Sequence, residues 1–183
     1  MKQIDTEVLT KCQNGDKAAF RIMVQTYQRM VFSLGLKFLC DEEEAKDVVQ
    51  ETFIKVWVNI RRYDGTSAFS TWIYGIVTNL CLDRLRKSKR LIPFPEDESV
   101  LREYATCNDS QHKLENAEWV AILRLLTDKL SEKQRLVFTL SHLEGLNSQE
   151  ISSITGMDAK HIKDNLYVAR QTIRKQLKRL GYE

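Results

Sequence analysis

The sequence has few of the residues that make tight turns, with only 7 glycines and 2 prolines among 183 residues. A β-sandwich or barrel needs a turn signal every ~8–12 residues, so this shortage disfavours all-β folds. Uninterrupted apolar runs are only a few residues long, far below the ~20 residues that span a bilayer, and we therefore expect no membrane insertion. Apolar residues still make up 43% of the chain, which excludes a disordered polypeptide and predicts a packed core.

Sequence motifs typical of metal-binding and catalytic sites are also missing. The cysteines and histidines are Cys12, Cys40, Cys81, Cys107, His112, His142 and His161. They form no CxxC or Cys/His cluster, which argues against structural zinc and for reduced thiols in the cytoplasm. No P-loop, HExxH or GxSxG motif is present, and the N-terminus has no apolar segment of the kind that signals secretion. We therefore predict a cytoplasmic protein that is not an enzyme and needs no metal or cofactor.

The formal charge of +3 is unevenly distributed along the chain. Residues 1–90 carry a net +4, residues 91–130 a net −4 and residues 131–183 a net +3. Both prolines lie in the acidic middle, which predicts two small domains, 10–90 and 113–183, joined by a linker at 91–112. The basic blocks make nucleic acid a candidate partner. The alternative, which charge alone favours, is a pair of solvated helical surfaces.

The first block has helical periodicity and clear start signals. Asp16 and Asp41 stand where helix N-caps are expected. Three glutamates at 42–44 fill the first turn after Asp41, where the helix dipole favours anions, so they need no metal to explain them. The first helix has apolar positions at Phe20, Val24, Tyr27, Val31 and Leu34 or Leu36, and the second at Ala45, Val48, Val49, Thr52, Phe53, Val56 and Ile60.

Several side chains lie outside the centre of the second stripe: Asp47, Gln50, Glu51, Ile54 and Trp57. Large apolar side chains such as Ile54 and Trp57 are unfavourable when half exposed, which indicates a partner surface. The alternative, which spacing alone favours, is that both pack on a neighbouring helix.

A polar connection at 59–67 precedes a third predicted helix at 71–87, which Ser70 is expected to cap. Its core face would contain Ile73, Ile76, Val77, Leu80 and Leu85. Basic and aromatic residues lie close together around this connection: Arg61, Arg62, Tyr63, Phe69, Trp72 and Tyr74. Rings offer unpaired bases a stacking surface worth ~1–3 kcal/mol per base, and guanidinium groups neutralise phosphate. Asn79 occupies a polar position, where its amide can read a base edge.

The C-terminal block predicts a helix-turn-helix. Ser131 begins a capping box, and Asn147 begins a similar N-cap signal. Gly156 then ends a short helix, and Asp158 caps a long one. The long helix has apolar positions at Ile162, Leu166, Ala169, Ile173, Leu177 and Leu180. Capped helix pairs with this spacing also occur as plain packing units.

In a helix-turn-helix the start of the second helix enters the major groove. The side chains that this would place at or near DNA are Lys160, His161, Lys163, Asp164, Tyr167, Arg170 and Arg174. The alternative is that His161 and the basic side chains only keep the helix soluble.

Three segments together resemble the extracytoplasmic-function (ECF) sigma factors, the small two-domain members of the bacterial sigma-70 family. They are DVVQETFIKVW (47–57), FSTWIYGIVTNLCLDRLRK (69–87) and LSEKQRLVFTLSHLEGLNSQEISSITGM (130–157). The resemblance implies an all-α fold of two small helical domains, the region 2 bundle and the region 4 helix-turn-helix. It also implies a factor that directs core RNA polymerase to promoters and nucleates their melting.

The resemblance implies roles for residues by position. The residues implied to bind the clamp helices of core polymerase are Asp47, Gln50, Glu51, Ile54 and Trp57. Recognition of the −10 element falls on Arg61, Arg62, Tyr63, Asp64, Phe69 and Asn79, with Trp72 as support. Recognition of the −35 element falls on Lys160, His161, Lys163, Asp164, Tyr167, Arg170 and Arg174. The same domain would touch the polymerase flap, and an anti-sigma factor is a further implied partner.

The recognition helix departs from the T-V-K-S-R-L of many family members, since an acidic residue and an amide, Asp164 and Asn165, replace serine and arginine. Asp164 would repel a phosphate unless it accepts a hydrogen bond from a cytosine amino group or pairs with Lys160. Two other function classes remain open from the residues. One is a helix-turn-helix regulator with dimerising or sensing N-terminal helices, which would bind palindromic operators without polymerase. The other is an enzyme, against which the missing motifs weigh.

Overall fold

The computed structural model describes residues 4–91 and 111–179, with side chains described over 4–87 and 119–179. The first range contains α1 (Thr6–Gln13), α2 (Lys17–Leu39), α3 (Glu42–Asn59), a 3-10 turn (Ile60–Arg62) and α4 (Phe69–Leu91). The second contains α5 (Gln111–Asp128), α6 (Glu132–Phe138), a π-helical turn (Thr139–Leu143), α7 (Ser148–Thr155) and α8 (Ala159–Arg179). Every regular element in these ranges is helical, so the all-α prediction is confirmed.

The structure does not test the predicted domain boundaries. Helix α1 begins at Thr6, upstream of the expected start at residue 10. Most of the expected linker, residues 92–110, lies outside the described residues, and so does Leu180. The linker therefore stays a prediction.

Local capping signals set most helix starts. Asp16 accepts hydrogen bonds from the backbone amides of Ala18 and Ala19 at 2.7 and 3.1 Å. Asp41 accepts one from the amide of Glu44 at 3.0 Å. Each such cap stabilises its helix by about 1 kcal/mol, and both predictions are confirmed.

The predicted start of α4 is wrong. Ser70 lies inside the helix, 4% exposed, and the carbonyl of Ala68 accepts the first helical bond, from the amide of Trp72 at 3.2 Å. Phe69 is 5% exposed and packs on Tyr27 with ring centroids 5.7 Å apart. Burial of this ring accompanies a helix start at Phe69, two residues before the start at residue 71 that the sequence predicts.

The helix-turn-helix follows its capping signals. The side chain of Ser131 accepts from the amide of Gln134, and the Gln134 side chain accepts from the amide of Ser131. Asn147 and Glu150 form the same reciprocal pair at the start of α7. Gly156 ends α7 with φ +70°, a left-handed conformation that glycine adopts without strain, and this lets the chain turn sharply into α8.

The N-terminal core lies between α2, α3 and α4. Its largest fully buried side chains are Met23, Val31, Leu34, Phe38, Val48, Val56, Ile60, Ile73 and Val77. The predicted stripe of α3 is buried apart from Val49, which is half-buried. At the closest approach of α2 and α3, a Cβ on Gly35 would lie 3.4 Å from the Cα of Ala45. A larger residue at Gly35 would therefore push these helices apart.

The C-terminal domain shares this core instead of standing apart from it. Buried apolar side chains of both domains belong to one continuous cluster, to which the C-terminal domain contributes Leu136, Val137, Leu140, Leu146, Ile151, Ile162 and Leu166. A smaller cluster of Leu130, Ala169 and Ile173 holds α8 to the end of α5. Helix α7 packs on α4, so the two domains form one contiguous body.

We expect Leu34→Ala to lower the free energy of unfolding by about 2–5 kcal/mol, because Leu34 is fully buried and its truncation leaves a cavity. Ile54→Ala removes a side chain that is 64% exposed, and its effect should stay within ~0.5 kcal/mol. Urea unfolding followed by circular dichroism measures both. Equal destabilisation by the two substitutions would contradict the core described above.

Candidate nucleic-acid interface

One face of α3 is open to solvent and carries the residues that the sequence assigned to a partner. Asp47 and Gln50 are exposed, and Ile54 is 64% exposed. Val58, one turn beyond Ile54, is 70% exposed and extends the apolar patch. Sequence reasoning missed Val58, although its i+4 spacing from Ile54 was a usable signal.

Two residues of that predicted set make contacts within the protein. The ring of Trp57 packs edge-on against Phe20 with centroids 4.7 Å apart, as in the neighbouring-helix alternative. Glu51 accepts a bond from the guanidinium of Arg84 at 3.1 Å, and Arg84 also pairs with Glu44 at 2.9 Å. Arg84 therefore links α4 to α3 through two ion pairs.

A cavity of about 320 Å³ opens between the end of α3 and the middle of α4. Its lining residues are Lys55, Asn59, Arg62, Trp72, Ile76, Asn79, Leu80 and Asp83. This volume is within the size range of small-ligand sites. The exposed amide of Asn79 and the guanidinium of Arg62 lie on this one cavity, so two of the predicted DNA-binding residues are brought together.

The aromatic rings near the loop that joins the 3-10 turn to α4 do not all face outward. Phe69 is 5% exposed and contacts Tyr63 and Trp72, with centroid distances of 5.1 and 5.5 Å. Tyr74, 3% exposed, is directed to the C-terminal domain. In this arrangement the Phe69 ring supports the loop and offers no free face to a base. Spacing along the sequence could not separate these inward rings from outward ones.

The loop itself is held in place by polar contacts. The carboxylate of Asp64 accepts bonds from the amide and hydroxyl of Thr66 at 3.0 and 2.8 Å, and these bonds lower the pKa of Asp64. The Gln13 side chain donates to the carbonyls of Ile60 and Tyr63, at 3.3 and 3.1 Å.

Arg61 completes this anchorage. Its Nε donates to the carbonyl of Gln13 at 3.1 Å. Arg61 therefore helps to fasten the loop to α1, whereas its neighbour Arg62 lies on the cavity.

The predicted recognition helix, α8, presents its polar residues on one side. Exposed side chains on this side are Lys160, His161, Lys163, Asp164, Tyr167, Arg170 and Arg174. Ile162, Leu166 and Ala169 face inward and are buried. The structure therefore places all seven predicted residues at the solvent-facing surface of one helix.

Two side chains of α8 are oriented by neighbours. The carboxylate of Asp158 accepts the amide of His161 at 2.8 Å and contacts its ring Nδ1 at 2.7 Å, and these bonds lower the pKa of Asp158. Arg170 donates from Nε to His142 Nε2 at 2.9 Å. Partial burial, and then the charge of Arg170, lower the pKa of His142, so a neutral imidazole accepts this bond.

The cysteines within the described residues are Cys12, Cys40 and Cys81, all buried as free thiols. Burial raises the pKa of Cys81 to about 12. Across residues 4–91 and 111–179 no group of His, Cys, Asp or Glu side chains is placed to hold a metal ion. Within the same part of the chain, no helix combines the length and apolar character needed to cross a bilayer.

Comparison with known families matches both halves of this architecture. The model of Sigma-70 region 2 matches residues 23–91, and that of Sigma-70 region 4 matches residues 121–179. The first match contains the cavity and the exposed face of α3. The second contains the helix-turn-helix.

Relatives that match nearly the whole chain are also sigma factors. The RNA polymerase sigma-H factor of Pseudomonas aeruginosa is 31% identical, with 96% of this chain and 95% of the relative covered. The ECF RNA polymerase sigma factor SigW of Bacillus subtilis is 29% identical, with 98% of this chain and 100% of the relative covered.

Solved structures share the fold. CnrH, in complex with the cytosolic domain of CnrY, superposes with a TM-score of 0.66 at 21% identity over 93% of this chain and 95% of that one. The sigma factor RpoE of Bartonella quintana, in complex with the anti-sigma factor NepR, gives 0.64 at 19% identity over 87% and 96%.

The fold and its exposed faces define a two-domain, helix-turn-helix transcription protein. The chain belongs to the ECF group of the bacterial sigma-70 family, whose members direct RNA polymerase to specific promoters and initiate transcription there. This membership favours the sigma-factor interpretation over an isolated helix-turn-helix regulator.

We expect the Cys81 thiol to resist alkylation by iodoacetamide at pH 8, because the thiolate is the reactive form and burial raises the pKa of Cys81 to about 12. Peptide mass spectrometry after labelling in buffer and in urea measures the modified fraction. Modification of Cys81 in the folded protein as fast as in urea would show that this part of α4 is accessible.

Proposed function

We propose that the cavity between α3 and α4 holds one unpaired base of the −10 element. Asn79 offers both a donor and acceptors toward a base edge, and Arg62 offers a cation toward the neighbouring phosphate. Extruding a base costs a few kcal/mol, which contacts in the pocket must offset. The co-location of Asn79 and Arg62 on one open cavity is the observation that carries this proposal.

The loop that precedes α4 continues directly from Arg62, the residue of the 3-10 turn that lines the cavity. Its backbone is fastened to α1 through Gln13 and Arg61, and its rings pack against each other beneath it. Such anchoring pre-orders the loop, so less conformational entropy is lost when DNA binds. Phe69 then has a supporting role, whereas Tyr63, which is half-buried, retains an accessible edge.

The exposed face of α3 is proposed to dock on the clamp helices of core polymerase. Ile54 and Val58 form its apolar centre, and Asp47 and Gln50 lie exposed beside them. An apolar centre with a polar rim is the usual composition of a specific interface. Because Glu51 is held by Arg84, we assign Glu51 to positioning α3 and Ile54 to direct contact.

Helix α8 is proposed to read the −35 element in the major groove, with the same domain touching the polymerase flap. Lys160 and Lys163 suit phosphate contacts at the helix start, and Tyr167 is 64% exposed. The carboxylate of Asp164 can only accept hydrogen bonds, so the base edge that fits it best is the cytosine amino group, which donates one.

The protein is proposed to work in the cytoplasm with no chemistry of its own, because polymerase supplies the catalysis. A net charge of +3 alone favours only weak, salt-sensitive binding to duplex DNA. Polymerase contacts are needed for the rest. The fold neighbours were solved with protein partners, one of them an anti-sigma factor, and we propose that an anti-sigma factor also regulates this chain.

We expect Asn79→Ala to reduce open-complex formation about tenfold or more, since a lost bidentate base contact is worth ~1–3 kcal/mol. Permanganate reactivity of unpaired thymines on a linear promoter measures melting. Binding of core polymerase should be unchanged. Gln25→Ala, which truncates an exposed amide on α2, is the matched control, and equal loss in both variants would refute the assignment.

We expect Ile54→Ala to weaken capture by core polymerase at least fivefold, because truncating an apolar anchor at an interface costs more than ~1 kcal/mol. Fluorescence anisotropy titration of the labelled chain with core enzyme gives the Kd. Ile22→Ala removes an isoleucine that is 49% exposed on α2 and should leave the Kd unchanged. Unchanged affinity for Ile54→Ala would show that polymerase binds elsewhere.

A further inference from the structure

Polar side chains line the cavity between α3 and α4 from both helices. Lys55 and Asn59, four residues apart, belong to α3, and Asn79 and Asp83, also four residues apart, belong to α4. Residues at this spacing lie on one face of a helix, so each pair forms a polar wall of the cavity. Only Asn79 among these four has a role in the proposed function.

The apolar part of the cavity lies along α4. Trp72, Ile76 and Leu80 follow one another at four-residue spacing and line the same cavity. Trp72 and Ile76 are half-buried, and Leu80 is 6% exposed. Such a surface accepts any base, because every base has an aromatic face. Discrimination between bases therefore depends on the polar groups of the lining.

The backbone of α3 fixes the orientation of the Asn59 side-chain amide. Its Nδ2 donates to the carbonyl of Lys55 at 2.8 Å. A carbonyl oxygen can only accept a hydrogen bond, so the amide nitrogen must be the atom that faces it. The oxygen Oδ1 is then directed away from the helix backbone. Asn59 therefore offers the cavity a hydrogen-bond acceptor.

Asp83 adds a second acceptor, on the wall formed by α4. Its side chain is 63% exposed, and Arg86 contacts one carboxylate oxygen, Oδ1, at 3.3 Å. A carboxylate has two oxygens with several acceptor sites, so this contact leaves acceptor capacity for a ligand. Both walls of the cavity consequently present acceptors.

A base that enters this cavity must supply donors to match those acceptors. Adenine, cytosine and guanine each carry an exocyclic amino group, which donates hydrogen bonds. Thymine carries none and presents carbonyl oxygens at the equivalent positions. A carbonyl oxygen placed against Oδ1 of Asn59 or the carboxylate of Asp83 would leave acceptors unpaired, which is unfavourable in a cavity that excludes water.

We propose that the cavity selects a base with an exocyclic amino group and rejects thymine, and that Asn59 is a residue that determines this selection. The inference rests on the proposed capture of an unpaired −10 base and adds the chemical class of that base. Asn79 can hold any base, since its amide both donates and accepts. Asn59 accepts from the base, and it therefore discriminates.

Selection from a promoter library with randomised sequence tests the preference. Core polymerase and the full chain transcribe the library in vitro, and the templates that yield transcripts are sequenced. The position of the captured base is the −10 position at which Asn79→Ala weakens selection. We expect the wild type to deplete thymine at that position about tenfold, as one good hydrogen-bonded contact to a base edge provides.

Substitutions of Asn59 test its role in this selection. Asn59→Leu keeps the size of the side chain and removes the acceptor, so the depletion of thymine should largely disappear. Asn59→Asp keeps an acceptor and should preserve the depletion. Asn165→Leu is the matched control, because Asn165 makes the same bond, to the carbonyl of His161 at 2.8 Å, on α8. It should leave this position unchanged, and circular dichroism checks that each variant is folded.

A second measurement uses the wild-type chain, so it does not depend on the folding of a variant. Promoter fragments with an unpaired −10 element carry either the selected base or its analogue without the amino group. The analogues are purine for adenine, 2-pyrimidinone for cytosine and hypoxanthine for guanine. Loss of the amino group should raise the Kd of the holoenzyme about tenfold, measured by fluorescence anisotropy. The increase should be much smaller for holoenzyme with Asn59→Leu.

Three results would each overturn the selection and leave the capture of a base intact. They are thymine as the favoured base at that position, an analogue bound as tightly as its amino-bearing parent, and rejection of thymine by Asn59→Leu as strong as in the wild type. If Asn79→Ala weakens selection at no −10 position, the proposed capture is itself wrong, and the selection by Asn59 is wrong with it.

Discussion

The packing of α4 against α2, α3 and α7 is the constraint on which the rest of the molecule depends. Its core side, with Ile73 and Val77 fully buried, packs on α2 and α3. Burial of such side chains contributes roughly 1.5–3 kcal/mol each, which fixes the rotation of the helix about its axis. That rotation directs Asn79 to the cavity and Tyr74 to the C-terminal domain. The same apolar contacts therefore make one helix both a wall of the proposed base pocket and a partner of the helix-turn-helix.

Local signals predicted the elements well, because a cap or an apolar stripe acts within one or two turns. Asp16, Asp41, Ser131 and Asn147 all begin helices as expected. Ser70 was misleading because burial of Phe69 accompanies a helix start two residues earlier, and burial depends on residues far away in sequence. Helix starts that depend on tertiary packing therefore escape pattern reasoning.

The site was predictable to a similar extent. Amphipathic spacing placed the outward residues of α8 at the surface, because that question concerns one helix. For Ile54, spacing alone favoured packing on a neighbouring helix, and the side chain is instead 64% exposed. Whether a ring faces a binding partner or a neighbouring helix depends on several elements. Phe69 is buried against Tyr27, and the half-buried Trp57 packs on Phe20. The pair of Tyr74 and Glu144, 70 residues apart, has no periodicity by which the sequence could reveal it. Family resemblance supplied the function, since composition and charge alone favoured an ordinary helical surface.

The anchorage of the loop to α1 extends the proposed DNA-binding unit toward the N-terminus. The region 2 match starts at residue 23, yet Gln13 supplies the donor for the carbonyls of Ile60 and Tyr63 and the acceptor for Arg61. A fragment cut at the family boundary would leave those backbone groups to water and the loop without its brace. Exchanging α1 between relatives should thus alter base preference while every nucleotide-facing side chain stays the same.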